Sequence, residues 1–180
     1  MPPTNPGRRR ALTDAAIELL ATSGVHGLTH REVEKAAGVP SGTASNYFRS
    51  REALLVAAAE RVLELHLADM DRAAPGDLAQ MLVESLLEAA TTLRARYLAI
   101  FELQLEAARR PALAATLARL QEGATRFTAA FHRGRGLSTP PEAIPALIAL
   151  YGGALFTLVT APPGTVTRPF VEDLVRVMVS

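Results

Sequence analysis

Cysteine is missing from all 180 residues. That excludes disulfides, thiolate metal sites and cysteine nucleophiles, and it fits a reducing cytoplasm. Tryptophan is missing too, and aromatics make up only 5%, so leucine and alanine must supply most of the core that a 49% hydrophobic content can build. The net charge of +1 gives the whole chain no pull towards a polyanion. His26, His30, His66 and His132 lack metal-ligand spacing, so neither a metal site nor a cofactor is expected. No Ser/His/Asp set, paired carboxylates or nucleotide loop is present, so the protein is not expected to be an enzyme and no catalytic residue is assigned. Residues 1–7 carry no apolar run and are not a signal peptide. No stretch reaches the roughly 18–20 uninterrupted apolar residues of a membrane span. The nearest, Ile144 to Thr160, is interrupted by Gly152-Gly153. A soluble, cytoplasmic protein with no membrane partner is the expectation.

What is abundant is helical: Ala, Leu, Glu and Arg, with apolar residues at i, i+3, i+4 spacing. An all-α fold of about nine helices with no strand is expected. A first helix runs from about Arg8 to Thr22, with Leu12, Ala15, Ala16, Leu19 and Leu20 on one face and Gly24 as its C-terminal cap. Arg8, Arg9 and Arg10 precede it as either a solvated tail or an arm reaching for phosphates. A long helix from about Arg51 to Ala73 carries Leu54, Leu55, Ala58, Val62, Leu65 and Met70, and Ala74-Pro75-Gly76 stops it. Asp77 with Gln80 then opens a helix to about Ala95. Arg96 to Arg110 and Pro111 to Arg133 follow, as two helices or as one kinked at Pro111. Within the first of these, Glu102, Glu106, Arg109 and Arg110 read as an exposed charge set. Thr139-Pro140-Pro141-Glu142 reads as a capping box for a helix to about Ala161, and Thr167 starts the last.

The chemistry concentrates between Thr29 and Glu52. Thr29 with Glu32 can form a capping box, and Val33, Ala36 and Ala37 give the short helix an apolar face. Gly38 and Val39-Pro40 end it. Ser41 is expected to cap a second short helix whose outer side is Gly42, Thr43, Ser45 and Asn46, with Ala44, Tyr47 and Phe48 turned inward. A small, uncharged, hydrogen-bonding surface of this kind suits close approach to base edges in a major groove. Arg31, Lys35, Arg49 and Arg51 make the surroundings basic, as phosphates require. The pair reads as a helix-turn-helix.

Gly38-Val39 in the turn, Gly42-Thr43 opening the next helix, Tyr47-Phe48 closing it and Arg51 three beyond resemble the DNA-binding signature of the TetR family of transcriptional repressors, over roughly residues 8–55. Ser41 and Ser45 depart from that pattern, where many members carry a basic residue and a tyrosine, so no operator sequence carries over. The resemblance implies a helix-turn-helix domain, residues 1–52, and a helical ligand-binding and dimerisation domain, residues 53–180. DNA-binding candidates are Thr29, Arg31, Ser41, Gly42, Thr43, Ser45, Asn46, Tyr47 and Arg51. Gly42 and Thr43 are placed for backbone contacts, Ser45 and Asn46 for base edges, Tyr47 for a phosphate. Thr29 is otherwise a pure cap, and Arg51 a solvated helix end.

The helix from Ile144 to Ala161 is apolar on nearly every side and needs covering on every side. A homodimer through the last two helices is expected, using Leu147, Tyr151, Gly152, Gly153, Leu155, Leu158, Phe170, Leu174 and Met178; the alternative is ordinary core. An effector cavity is expected among His66, Met70, Met81, Ser85, Tyr97, Phe101, Gln104, Phe127, Phe131 and Tyr151, which mix large apolar groups with a few hydrogen-bonding ones; core packing is the alternative. The resulting expectation is a repressor that binds a double-stranded palindromic operator as a dimer and is released by a small, largely apolar effector. An effector-independent regulator, repressor or activator, and a helical small-molecule binder are the alternatives.

Overall fold

A computed structural model describes residues 5–72, 77–137, 139–162 and 164–179. Among them are nine α-helices, one short 3-10 turn and no strand: α1 Pro6–Gly27, α2 His30–Ala36, α3 Thr43–Tyr47, α4 Arg51–Arg72, α5 Leu78–Ala90, α6 Arg94–Ala107, α7 Pro111–Gly134, the 3-10 turn Pro141–Ala143, α8 Ile144–Thr160 and α9 Arg168–Val179. The expected stop at residues 74–76 lies outside the described residues. Arg110 stands between α6 and α7, so these are two helices rather than one kinked helix.

Two compact units emerge: residues 1–68 with 95–120, and residues 69–94 with 121–180. The sequence-based boundary at residue 52 falls inside α4, which continues unbroken to Arg72.

In the first unit, α1 begins one turn earlier than expected. Asn5 caps it by accepting from the Arg8 N–H at 3.1 Å, and Pro6 sits in the first turn, where its missing N–H costs nothing. Arg9 and Arg10 are therefore helical. The Arg9 guanidinium reaches Glu60 at 3.2 Å and lies 5.7 Å from the Phe48 ring centroid, while Arg10 pairs with Glu64 at 3.9 Å. Neither is a loose tail. Leu12, Ala16 and Leu20 bury one face of α1, and Leu54, Leu55, Ala58 and Val62 one face of α4. Arg61 on α4 holds Asp14 on α1 at 2.7 Å.

Gly24 breaks α1 internally at φ 63, ψ −174, a backbone region that glycine alone enters without strain. The freed Val25 N–H donates to the Glu102 carboxylate of α6 at 2.9 Å. Glu102 is thus not part of an exposed charge set. Glu106 is buried, accepting from Arg110 at 2.6 Å and Arg109 at 3.1 Å, and those two bonds hold its carboxyl below the ordinary range.

In the second unit α5 packs against α8 and α9. Asp77 caps α5 by accepting from the Gln80 N–H at 3.1 Å. The expected Thr139 capping box is absent: Thr139 is drawn instead to His132, with Oγ1 and Nδ1 2.7 Å apart, and α8 has no side-chain cap. Val83 and Leu86 of α5, Leu155, Leu158 and Val159 of α8, and Val171 and Val175 of α9 are buried. Each such side chain stabilises the fold by about 1.5–3 kcal/mol. The stretch Pro141–Thr160, with mean hydropathy 1.8, is long and apolar enough to cross a membrane by length and composition, so the glycine pair interrupts it less than expected.

Candidate nucleic-acid interface

The helix-turn-helix is built from three local devices. Thr29 Oγ1 accepts from the Glu32 N–H at 3.2 Å and starts α2 as expected. At the other end Gly38 has φ 64, its N–H donates to the Lys35 carbonyl at 3.2 Å, and the Val39 N–H donates to the Glu34 carbonyl at 3.0 Å. Those two bonds form a Schellman closure, which only a left-handed residue at Gly38 permits. His30 Nε2 then donates to the Phe48 carbonyl at 2.7 Å, tying the start of α2 to the end of α3.

Ser41 does not cap α3. The N-cap position is Gly42 at φ 85, which has no side chain to offer. The cap arrives from α2: Glu34 Oε1 accepts from the Ala44 N–H at 2.7 Å. The Thr43 N–H and hydroxyl both donate to the Pro40 carbonyl, at 3.2 and 2.5 Å, so the backbone donor assigned to phosphate at Thr43 is occupied within the turn.

Ser41, Gly42, Ser45 and Asn46 are exposed, Thr43 and Tyr47 half-buried, Ala44 and Phe48 buried. The Tyr47 hydroxyl donates to the Asn5 carbonyl at 3.4 Å. Thr29, Arg31, Lys35 and Arg49 are exposed. Arg51 is turned inward. Its Nε donates to the Leu28 carbonyl at 3.1 Å and its terminal nitrogen to the Val25 carbonyl, so it satisfies orphan carbonyls at the end of α1 instead of standing free for a phosphate.

A helix-turn-helix of this form is matched over residues 12–58 by the model of bacterial regulatory proteins of the tetR family, and residues 73–180 match the tetracyclin repressor-like C-terminal domain. The chain belongs to the TetR family.

Among TetR-family structures, a member from Streptomyces coelicolor A3 is 31% identical, with TM-score 0.74, over 96% of this chain and 98% of that one. The multidrug binding protein EbrR, complexed with imidazole, is also 31% identical, with TM-score 0.70, over 97% of this chain and 96% of its own. The transcriptional regulator BetI of Rhizobium meliloti is 40% identical over 58 residues, which span 32% of this chain and only 29% of BetI.

The expected effector residues fall into both units and are described within each. In the first, the His66 and Tyr97 rings meet edge-on with centroids 6.4 Å apart. Phe101 is half-buried there. Gln104 is exposed, because the buried arc of α6 is Tyr97, Ala99, Ile100, Leu103 and Glu106 and leaves Gln104 at its edge. In the second unit, Ser85 Oγ and the Tyr151 hydroxyl are 2.6 Å apart, and the Phe127 and Phe131 rings stack with centroids 6.1 Å apart. Met70 and Met81 are half-buried there. Burial pushes the Tyr151 hydroxyl above its ordinary pKa, against a smaller opposing effect of the Ser85 bond. A groove of about 420 Å³ lies between α5 and α9, lined by Ala79, Gln80, Val83, Glu84, Arg168, Glu172, Val175, Arg176 and Val179. It contains none of the ten expected residues.

The expected dimer residues on α8 are largely on its inner side. Leu155 and Leu158 are buried within the chain, and Leu147, Tyr151 and Gly152 are half-buried. The outer side is Ala146, Ala149, Leu150, Gly153, Phe156, Thr157 and Thr160, with Leu150 58% and Phe156 53% exposed. On α9, Phe170 is exposed, Leu174 and Met178 are half-buried, and Val177, one turn from Leu174, is 76% exposed. Hydrophobicity on all sides of α8 carries no phase, so the sequence could not say which side faces out. Glu34 and Glu102 were missed because each acts on backbone far away in sequence. One signal was available for Glu34: Gly42 at the N-cap left α3 without a cap of its own.

Proposed function

We propose that this TetR-family protein is a transcriptional repressor that binds a palindromic double-stranded operator as a homodimer in the cytoplasm. Residues 1–52 would read the DNA, and residues 53–180 would pair the subunits and hold a small, largely apolar effector that releases it. The observation that carries the reading is the exposed, uncharged surface of Ser41, Gly42, Ser45 and Asn46, flanked by exposed Arg31, Lys35 and Arg49. In that arrangement the short groups meet base edges, with Asn46 able to pair bidentately with adenine, while the cations take phosphates. The Thr43 and Tyr47 hydroxyls donate to the Pro40 and Asn5 carbonyls, so their oxygens can only accept, from base amino groups and not from phosphates. The Thr29 hydroxyl, which accepts from the Glu32 N–H, still has its proton to donate to a phosphate.

Pairing is supported by the large apolar side chains exposed on the last two helices, Leu150 and Phe156 on α8 and Phe170 on α9. The effector reading is supported by EbrR, which has been crystallised with ethidium and with proflavin as well as imidazole. Ethidium and proflavin are planar aromatic cations, and the stacked Phe127 and Phe131 rings are a surface of the kind such molecules meet. Linkage requires that an effector which weakens operator binding be itself bound more weakly, by the same factor, when operator is present. Calorimetric titration of imidazole, which does not intercalate into DNA, with and without a duplex selected from a random library, measures both. Equal affinities in the two titrations would favour an effector-independent regulator.

A further inference from the structure

The turn between α2 and α3 hangs on one residue that no DNA-contact assignment includes. Glu34 has 5% of its surface exposed, a rare position for a carboxylate unless it is paired or hydrogen-bonded. Its backbone carbonyl accepts from the Val39 N–H at 3.0 Å and so closes α2. Its side chain accepts from the Ala44 N–H at 2.7 Å and so opens α3. Ala44 is fully buried and no water can replace that partner. Helix α3 has five residues, too few to hold its shape by propensity, and Gly42 at its N-cap contributes no side chain. The direction of the recognition helix relative to α2 therefore depends on a bond that comes from outside it.

We infer that Glu34 is a positioning residue for sequence reading: its carboxylate fixes the start and direction of α3, and with them the placement of Ser45 and Asn46 on base edges. This rests on the DNA-binding reading above. It predicts a selective defect. Base readout depends on where α3 sits, whereas binding to an arbitrary duplex comes from phosphate contacts by cations elsewhere on the surface. Loss of the carboxylate should therefore erode discrimination before it erodes affinity for DNA in general.

The test compares wild type, Glu34→Ala and Glu34→Gln in the full chain. Fluorescence anisotropy follows a duplex selected from a random pool and a scrambled duplex of equal length. Glu34→Ala should bind the selected duplex about tenfold more weakly and the scrambled one within about twofold of wild type, the size expected for losing a charge-assisted bond to a buried donor. Glu34→Gln keeps an acceptor oxygen and should recover most of the loss. Equal weakening on both duplexes, or no recovery with glutamine, overturns the positioning role. Amide hydrogen exchange at Ala44, read without DNA, should quicken in Glu34→Ala and stay slow in Glu34→Gln; unchanged exchange in the alanine variant overturns it as well. Failure of wild type to bind any duplex instead removes the DNA-binding reading, while the exchange result still reports on the cap.

Discussion

Replacing Gly24 with alanine should damage the protein more than its half-buried position suggests. At φ 63 and ψ −174 the backbone is in a region that costs an L-residue about 1–3 kcal/mol. A Cβ there would also stand 3.2 Å from Glu102 Oε2, the oxygen that accepts from the Val25 N–H at 2.9 Å. Displacing that carboxylate puts at risk a charge-assisted bond whose loss costs about 1.5–3 kcal/mol. Reduced freedom of the unfolded chain returns only about 0.4–1 kcal/mol. The net expectation is a loss of about 3 kcal/mol, or about 6–12 °C in Tm at a few degrees per kcal/mol for a chain of this size. Gly38→Ala is the control. Its φ is 64, but a Cβ there meets no atom within 4 Å, so only the left-handed penalty of about 1 kcal/mol remains. Thermal and urea unfolding at one fixed protein concentration measures both variants. A Gly24→Ala protein as stable as Gly38→Ala would refute the reasoning, because the Glu102 contact would then contribute nothing.

Arg51→Ala should lower stability by about 1–2 kcal/mol through the carbonyls it leaves unpaired at the end of α1, with the salt slope of DNA binding unchanged; Arg31→Ala should instead leave stability alone and reduce that slope by about one unit. Glu106 has its carboxyl held low by Arg110 and Arg109, so the unfolded chain binds the proton more readily. Its contribution is present above the unfolded value and fades as pH falls through it towards the folded one, and Glu106→Gln should flatten that part of an acid unfolding profile. Tyr151 is shifted the other way, and its contribution is full below the unfolded value of about 10 and is lost as pH rises through the folded one. Tyr151→Phe should remove that alkaline loss while costing about 1 kcal/mol at neutral pH for the Ser85 bond. Phe156→Arg on the outer side of α8 should yield monomers by light scattering, whereas Leu158→Ala on the inner side should destabilise the fold by about 2–5 kcal/mol.

The parts of the fold legible in sequence were those set by local chemistry. Asp77 does start a helix, Gly38 ends α2, Pro111 opens α7, and the spacing of Leu54, Leu55, Ala58 and Val62 marks the buried face of α4. What escaped was set by distance or by the absence of contrast. Glu34, Glu102 and Arg51 serve backbone groups 10, 77 and 23 residues away, and a charged side chain looks the same in sequence whether it faces water or a stranded carbonyl. In α8 nearly every residue is apolar, so pattern alone could not separate Leu158, which is buried, from Leu150, which is not. The exposed, uncharged groups of Ser41, Gly42, Ser45 and Asn46 were visible because they depart from their surroundings in both size and charge.

The most direct test is to count the chains on one site. Sedimentation of the protein with a duplex selected from a random pool, at low ionic strength, gives that number. Two chains on a palindrome with half-sites one helical turn, about 34–36 Å, or a multiple apart is the expected result. One chain per site, or no complex with any duplex in the pool, would contradict it.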